Sequence, residues 1–291
     1  MSSSWYQGIG KEVVLGSLGM LLSAGGVFAD CRIGTLCHVN SAKANPAGTF
    51  SKAFIQDHKL ASGVMSVKQQ DGSWKGFCSG TLIYANLFLT SGHCMQNLTM
   101  ANPNVNEQED IAVTFNFEAT ASTADSASPQ LENNRPWAKF RHVIEDGTDM
   151  DTDYALVVIR WVSLPVLKID FPNPSGPRVG QEVLAIQHPL GKETQVSAGT
   201  ISAIDQLWTA NSDASYSNAS YRSQPGSSGG GIYGKDGRLI GVLSGVDARG
   251  KMVFAQMDKI VAKSSRLSQY LNQGLPGLLG TPFLIGDAIW F

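Results

Sequence analysis

Short apolar segments separated by turn-forming residues recur along most of this 291-residue chain, and this alternation restricts the possible fold more than any other feature. Short segments rich in β-branched and aromatic residues predict strands, and their spacing predicts a barrel or a sandwich. We expect strands at Gly63–Val67, Thr81–Tyr84, Leu87–Thr90, Ile111–Phe115, Tyr154–Ile159, Glu182–Ile186, Gln195–Ile204, Gly231–Tyr233, Leu239–Leu243 and Met252–Ala255.

Only one segment has the apolar spacing of a helix. Met257–Leu271 carries apolar side chains at helical intervals, and we assign residues 257–273 to a C-terminal helix. Ala119–Asn134 is small and polar and predicts a long surface loop, and the proline-rich segment Asp170–Gly180 predicts a linker. The expected fold class is therefore all-β.

The first 29 residues have the features of an export signal. An apolar stretch follows Lys11 and ends at Val27-Phe28-Ala29, which offers small residues at the positions a signal peptidase reads. We expect cleavage after Ala29 and a secreted or periplasmic protein, with an uncleaved membrane anchor as the alternative. Residues 30–61 then form an N-terminal arm, and residues 274–291 form an apolar tail that packs against the strands or contacts a membrane or secretion factor.

Composition excludes several classes of function. The formal net charge is −2, so no electrostatic argument favours nucleic acid or an anionic membrane as a partner. The chain has no paired-cysteine zinc spacing and no phosphate-binding glycine loop, and we expect neither a cofactor nor a metal. The acidic run at Asp149, Asp151 and Asp153 lacks the glycine and the final acid that a calcium loop requires.

A histidine, an aspartate and a serine occur in an order and in contexts that suit nucleophilic catalysis. His93 directly precedes Cys94, Asp153 opens an apolar run, and Ser228 lies within Gly226-Ser227-Ser228-Gly229-Gly230. Because a serine hydroxyl is a weak nucleophile at neutral pH, it needs a base to take its proton and a carboxylate to orient that base. Small residues around the serine allow backbone N–H groups to face a substrate carbonyl oxygen.

These motifs together resemble the chymotrypsin-fold, or trypsin-like, serine proteases. Residues 78–83 and 89–94 resemble the histidine loop of that family, residues 153–156 its aspartate segment, residues 226–230 its nucleophile loop and residues 239–245 the strand that follows. The resemblance spans roughly Ser62 to Leu271. Two further segments, Pro225–Gly229 and His188–Gly191, are most similar to bacterial extracellular lysyl and glutamyl endopeptidases.

The resemblance implies an exported serine endopeptidase with two antiparallel six-stranded β-barrels packed face to face and a C-terminal helix. The first barrel would occupy residues 62–169 and the second residues 170–256. Ser228 would be the nucleophile, His93 the general base and Asp153 the orienting carboxylate, with an acyl-enzyme intermediate. The N–H groups of Gly226 and Ser228 would form the oxyanion hole.

The resemblance also implies a disulfide between Cys78 and Cys94. We expect the remaining cysteines, Cys31 and Cys37, to pair with each other, because disulfides persist in exported proteins. A free thiol at this second pair is the alternative.

The sequence indicates the catalytic residues more clearly than the residues that select the substrate. The resemblance places Arg222, Ser244, Gly245 and Val246 along the substrate cleft, and a serine matching Ser244 hydrogen-bonds the catalytic aspartate in the family. Arg222 replaces the aspartate that explains cleavage after Lys or Arg, and it would favour acidic side chains if it points into the pocket. Arg222 pointing to solvent, with Asp247 lining the pocket, is the other arrangement.

Several alternatives remain beside this interpretation. Asp151 is the rival to Asp153 as orienting carboxylate, and His188, before Pro189, is expected to be a structural loop residue. A catalytically inactive binding protein on the same fold is the alternative function. An α/β-hydrolase is disfavoured because its serine precedes the other two residues in the chain. We expect protein or peptide substrates, a monomer and no stable membrane span.

Overall fold

Strands dominate the described part of the chain, and short helices flank or connect them. The computed structural model describes residues 37–38, 50–84, 86–101, 105–115, 137–147, 152–161, 176–206, 216–219, 225–246 and 252–272. The strands are β1 (Cys37–His38), β2 (Ser62–Lys68), β3 (Trp74–Tyr84), β4 (Leu87–Thr90), β5 (Ile111–Phe115), β6 (Trp137–Asp146), β7 (Ala155–Trp161), β8 (Glu182–Gln187), β9 (Gln195–Gln206), β10 (Tyr216–Ala219), β11 (Gly231–Gly234), β12 (Leu239–Val246) and β13 (Met252–Gln256).

The helices lie at three places in this order. They are α1 (Lys52–Lys59) before β2, α2 (Gly92–Ala101) and α3 (Glu107–Asp110) between β4 and β5, and α4 (Met257–Lys263) and α5 (Ser265–Asn272) after β13. A 3₁₀ turn spans Pro189–Gly191. Among these described helices, none is both long enough and apolar enough to cross a membrane.

The first group of strands closes into a barrel. Its six antiparallel strands follow the order β2-β3-β4-β7-β6-β5. The Phe88 ring fills the interior over Gly63 and Gly80, where an added Cβ would lie 3.1 Å and 2.2 Å from that ring. Phe88 also meets the Phe115 ring edge to face at 5.8 Å. Fully burying a side chain of this size contributes roughly 2–3 kcal/mol, so these glycines make room for an important part of the core.

The second group forms a curled sheet. Its order is β1-β9-β10-β13-β12-β11-β8, and β9 also pairs with β8, which curls the sheet back on itself. Short β1 adds to the edge of β9 through the register Cys37↔Val196. The all-β, trypsin-like fold class predicted from the sequence is thus confirmed, and the second sheet gains a strand from the N-terminal arm that was not predicted.

The predicted elements agree with the structure in the strands more than in the helices. Every strand expected from the sequence is present, whereas β1, β6, β10 and the helices α1 to α3 were not predicted. The helical segment predicted at 257–273 is present, but as two helices, α4 and α5. Ser264 separates two helices there, with φ −78° and ψ 112°, and its hydroxyl accepts a hydrogen bond from Leu267 N–H. A serine that caps the following turn competes with helix continuation.

Helix α1 shows why the N-terminal arm gave no periodic signal. The Ser51 hydroxyl caps the helix by accepting from Phe54 N–H at 3.0 Å. The buried face of the helix includes His58 and Lys59 beside Ile55, so the face that packs inward is not apolar in sequence. Both nitrogens of His58 contact backbone carbonyls, at 2.8 Å to Phe54 and 2.9 Å to Gly237.

Other expected segments lie outside the described residues. These are the export signal at 1–29, the polar loop at 119–134, the tail at 274–291 and the boundary between residues 169 and 170.

Buried hydroxyl groups join the barrel to the curled sheet. Ser62, Ser79, Thr81 and Ser91 are each at most 1% exposed, and we call them the hydroxyl seam. Thr81 Oγ1 lies 3.1 Å from the Tyr233 hydroxyl, and Ser91 Oγ donates to the Leu243 carbonyl at 2.6 Å. Each bond crosses from the first group of strands to the second, so the seam fixes their relative position.

His188 is the imidazole at the centre of the seam. Its Nε2 lies 3.2 Å from Ser62 Oγ and its Nδ1 lies 3.1 Å from the Lys192 carbonyl. Because the carbonyl can only accept, Nδ1 carries the proton and Nε2 accepts from the serine. Burial lowers the pKa of His188 from its ordinary value near 6.5 to about 4, so the ring is neutral at pH 7. This contact agrees with the structural role expected for His188.

Acid should destabilise the protein through this residue. Above pH 6.5 the ring is neutral in both states, whereas between pH 6.5 and pH 4 only the unfolded chain gains the proton. We therefore expect the free energy of unfolding to fall by about 2 kcal/mol from pH 7 to pH 5 through His188 alone. Denaturant unfolding of the wild type and of His188→Gln at both pH values measures this contribution. An equal loss of stability in the two proteins would contradict it.

Candidate active site

His93 and Asp153 are joined by two hydrogen bonds. His93 stands at the N-terminus of α2, where its backbone N–H donates to Asp153 Oδ1 at 2.8 Å and its Nδ1 lies 2.7 Å from Oδ2. The Asp153 side chain is 4% exposed, whereas that of His93 is 28% exposed. Because a carboxylate accepts, Nδ1 carries the proton and Nε2 is left as the basic nitrogen. The pair is thus oriented to accept a proton at the more accessible nitrogen.

Asp153 is held by the short connection between β6 and β7. Gly147 N–H donates to the Tyr154 carbonyl at 2.9 Å, and Thr152 N–H donates to the Gly147 carbonyl at 3.2 Å. These bonds close the connection on both sides of the aspartate.

The loop Gly226–Gly230 requires glycine for two reasons. Gly226 and Gly229 both have φ +89°, in the left-handed region that favours glycine. An added Cβ at Gly229 would also lie 2.0 Å from the Ser79 carbonyl oxygen. The loop is anchored by Gly229 N–H, which donates to the Leu243 carbonyl at 2.7 Å.

The two serines of this loop have different environments. Ser227 is completely buried, whereas Ser228 is partly exposed and lines a cavity with His93 and Gly226. Ser228 Oγ lies 3.4 Å from the Ser244 carbonyl oxygen, a long contact for a hydroxyl donor. Ser228 is therefore the accessible hydroxyl of the pair.

Two backbone donors of this loop are available. Among the described residues, the N–H groups of Gly226 and Ser228 donate to no acceptor. Both residues line the cavity, where an incoming carbonyl oxygen could accept from them.

The seam residue Ser79 holds the loop from the opposite side. Its N–H donates to the Ser228 carbonyl at 2.7 Å, and its hydroxyl donates to the Gly226 carbonyl at 2.7 Å. The same hydroxyl accepts from His188 N–H at 2.8 Å. With the Gly226 carbonyl bound to Ser79, the peptide groups of the loop are fixed in orientation. Sequence reasoning missed Ser79, because one serine in a strand carries no signal of its partners.

The cavity has a volume of about 920 Å³. Its lining includes Ser228, the Cys78–Cys94 disulfide and the β2–β3 hairpin, where Lys68, Lys75 and Phe77 line it. Cys94 Sγ lies 4.0 Å from His93 Nε2 and 3.8 Å from the Ser228 carbonyl oxygen. The disulfide therefore forms part of the cavity wall beside both residues.

One relation expected from the family does not occur. Ser244 was expected to hydrogen-bond Asp153, but its buried hydroxyl has no partner among the described residues. Both carboxylate oxygens of Asp153 instead accept from His93.

Of the other cleft residues, Gly245 and Val246 end strand β12, and Val246 is 41% exposed. Arg222, Asp247, Asp151 and Cys31 lie outside the described residues, and only the backbone of Cys37 is described. Within the described part of the chain, no three His, Cys, Asp or Glu side chains are arranged to hold a metal ion.

Comparison with known proteins identifies relatives that are named as serine proteases. A family model described as a trypsin-like peptidase domain matches residues 78–242. A probable periplasmic serine endoprotease DegP-like of Marinomonas sp. is 34% identical over 103 residues, which cover 35% of this chain and 22% of that protein. The serine protease PepD of Mycobacterium tuberculosis is 33% identical over 111 residues, which cover 36% of this chain and 24% of that protein.

The chain therefore spans about a fifth of the length of the curated relatives it matches. Among solved structures, the inactive form of Rv3671c from M. tuberculosis H37Rv has a TM-score of 0.52 at 11% identity, covering 77% of this chain and 94% of that one. This likeness supports the fold. The predicted similarity to lysyl and glutamyl endopeptidases is not confirmed by these relatives.

Removing the Ser79 hydroxyl should loosen the Gly226 peptide group without removing any group that faces the cavity. For Ser79→Ala we expect the rate at which a fluorophosphonate labels Ser228 to fall about tenfold, the equivalent of ~1.4 kcal/mol. Ser66→Ala is the matched control, because the Ser66 hydroxyl is equally buried but has no partner among the described residues. Equal labelling rates in the two variants would show that Ser79 does not organise the loop.

Proposed function

This chain belongs to the trypsin-like peptidase domain family, and on that premise we propose that it is an exported serine endopeptidase with Ser228, His93 and Asp153 as its catalytic triad. The observation that carries the proposal is the His93–Asp153 pair, with Nδ1 and Oδ2 2.7 Å apart, on the same cavity as Ser228. The DegP-like and PepD relatives, which are named as serine proteases, support it.

The proposed reaction begins with attack by Ser228 Oγ on the carbonyl carbon of the scissile peptide bond. His93 Nε2 takes the hydroxyl proton as the carbon–oxygen bond forms, and Asp153 stabilises the imidazolium that results. The negative charge on the former carbonyl oxygen accepts hydrogen bonds from Gly226 and Ser228 N–H. Preorganised donors of this kind are each worth about 3–4 kcal/mol in the transition state.

Collapse of the tetrahedral intermediate breaks the peptide C–N bond. His93 returns its proton to the departing amine, which leaves an ester between Ser228 and the acyl half of the substrate. Water then attacks the ester carbonyl with His93 as base, and Ser228 Oγ leaves and regains a proton. No electron donor or acceptor takes part, and every proton passes through His93.

We propose that residues 62–169 supply the base and the carboxylate and that residues 170–256 supply the nucleophile. In this arrangement the oxyanion donors and Ser228 lie on a loop of the second unit. The hydroxyl seam holds that loop near α2 of the first barrel. This contact supports an active site between the two groups of strands.

Two observations support export. The DegP-like relatives are named as periplasmic, and the Cys78–Cys94 disulfide suits an oxidising compartment. We propose that the segment 1–29 is the signal and is removed after Ala29, and that the mature protein acts as a monomer on protein or peptide substrates.

An activated serine should react with a fluorophosphonate probe. We expect the purified protein lacking residues 1–29 to be labelled, and labelling to disappear in Ser228→Ala and His93→Ala but to persist in Ser227→Ala. The probe needs a nucleophilic serine and a base, and only Ser228 of the two loop serines is exposed to the cavity. Absence of labelling in a folded, disulfide-bonded sample would favour the inactive binding protein.

The identity of the carboxylate is tested by a matched pair of variants. We expect Asp153→Asn to lower kcat for peptide hydrolysis by about four orders of magnitude, because an amide favours the wrong histidine tautomer. Asp151→Asn removes the same charge two positions earlier and should change kcat by less than about twofold, because one carboxylate alone orients the histidine in the proposed triad. The reverse result would assign the role to Asp151.

A further inference from the structure

Tyr154 follows Asp153 directly and is completely buried. Its hydroxyl donates to Glu145 Oε1 at 3.1 Å. Its ring packs against Gly147, where an added Cβ would lie 1.9 Å from the ring. Tyr154 therefore lies between strand β6, which carries Glu145, and the connection that carries Asp153.

Glu145 is itself held by the C-terminal helices. Its Oε2 accepts from Ser264 Oγ at 3.0 Å, and its Oε1 accepts from Ser265 N–H at 3.2 Å. Arg266 N–H lies at 3.4 Å from Oε2. These donors belong to the first turn of α5 and its preceding residue, where a carboxylate is favoured by unpaired N–H groups and by the helix dipole.

The connection leaves Asp153 little freedom once Tyr154 is fixed. Asp146 pairs with Ala155 where β6 meets β7, and Gly147 N–H donates to the Tyr154 carbonyl. Asp153 is thus one residue away from a side chain that is anchored by its ring and its hydroxyl. A rotation of the Tyr154 peptide would move the carboxylate relative to both His93 nitrogens that it binds.

Burial raises the pKa of the Tyr154 hydroxyl above its ordinary value, and the neighbouring Glu145 and Asp146 charges act in the same direction. The phenol therefore remains a proton donor to Glu145 throughout the pH range in which the protein would work.

We propose that Tyr154 and Glu145 are positioning residues for Asp153, and that helix α5 holds the catalytic carboxylate in place through them. This rests on the proposed function, in which Asp153 orients His93. It gives the C-terminal helices a part in catalysis although they contribute no residue to the cavity among those described.

The central test is Tyr154→Phe, which removes the hydroxyl and keeps the ring packed on Gly147. We expect kcat for peptide hydrolysis to fall about tenfold with KM unchanged. A small displacement of a catalytic group, caused by a substitution far from the reacting atoms, lowers the rate by up to about a hundredfold. Tyr84→Phe is the control, because Tyr84 packs partly buried against the same core cluster as Tyr154 but does not line the cavity. It removes a tyrosine hydroxyl from the same barrel and should leave kcat unchanged.

Glu145→Gln provides a second variant that keeps the size of the side chain. Its amide nitrogen cannot accept from the α5 donors, so we expect the same loss in kcat with unchanged KM. If Tyr154→Phe does not fold, the kcat and KM of Glu145→Gln test the proposal by themselves.

Proton NMR gives a readout that does not need turnover. The His93 Nδ1 proton should give a low-field resonance that is absent in His93→Ala, and we expect it to shift and broaden in Tyr154→Phe and Glu145→Gln but not in Tyr84→Phe. An unchanged resonance together with unchanged kcat would overturn the proposal. A wild type that shows this resonance but is not labelled at Ser228 would refute the proposed function and leave the positioning role to be judged by the resonance alone.

Discussion

The contact on which the rest of the structure depends is the one between Ser79 and the loop Gly226–Gly230. Ser79 binds the Ser228 carbonyl through its N–H and the Gly226 carbonyl through its hydroxyl, both at 2.7 Å. It stands next to Cys78, whose disulfide to Cys94 borders His93. This short stretch of β3 therefore contacts the loop that carries Ser228 and, through the disulfide, the helix that carries His93. Ser79 therefore holds the loop on which the N–H groups of Gly226 and Ser228 have no acceptor among the described residues.

Polar groups buried between the two sheets give the site its rigidity. A buried hydroxyl or imidazole without a partner costs roughly 1–3 kcal/mol, so a seam of satisfied donors and acceptors favours one relative placement of the sheets. His188 takes part only as a neutral ring, and Tyr154 only as a protonated phenol. Buried polar contacts of this kind also hold helix α5, where Glu145 accepts hydrogen bonds from both the Ser265 N–H and the Tyr154 hydroxyl.

The sequence indicated the strands and the three candidate catalytic residues because their signals are local. His93 stands beside a cysteine, Ser228 is flanked by glycines, and Asp153 opens an apolar strand. The seam could not be predicted, since it joins residues far apart in the chain that look ordinary in their own strands. Tyr154 and Glu145 are near each other in the chain, but nothing in the sequence marks their side chains as partners. Helix α1 was hidden because its inward face carries His58 and Lys59, and the helix break at Ser264 was hidden within an otherwise helical pattern.

The central claim, that Ser228 attacks a carbonyl whose oxygen is received by Gly226 and Ser228 N–H, is tested most directly by a crystal structure with a peptidyl boronate. We predict a covalent bond between boron and Ser228 Oγ, with one boronate oxygen within about 3 Å of both N–H groups and another near His93 Nε2. A boronate that binds without this bond, or that attaches to a residue other than Ser228, would contradict the account.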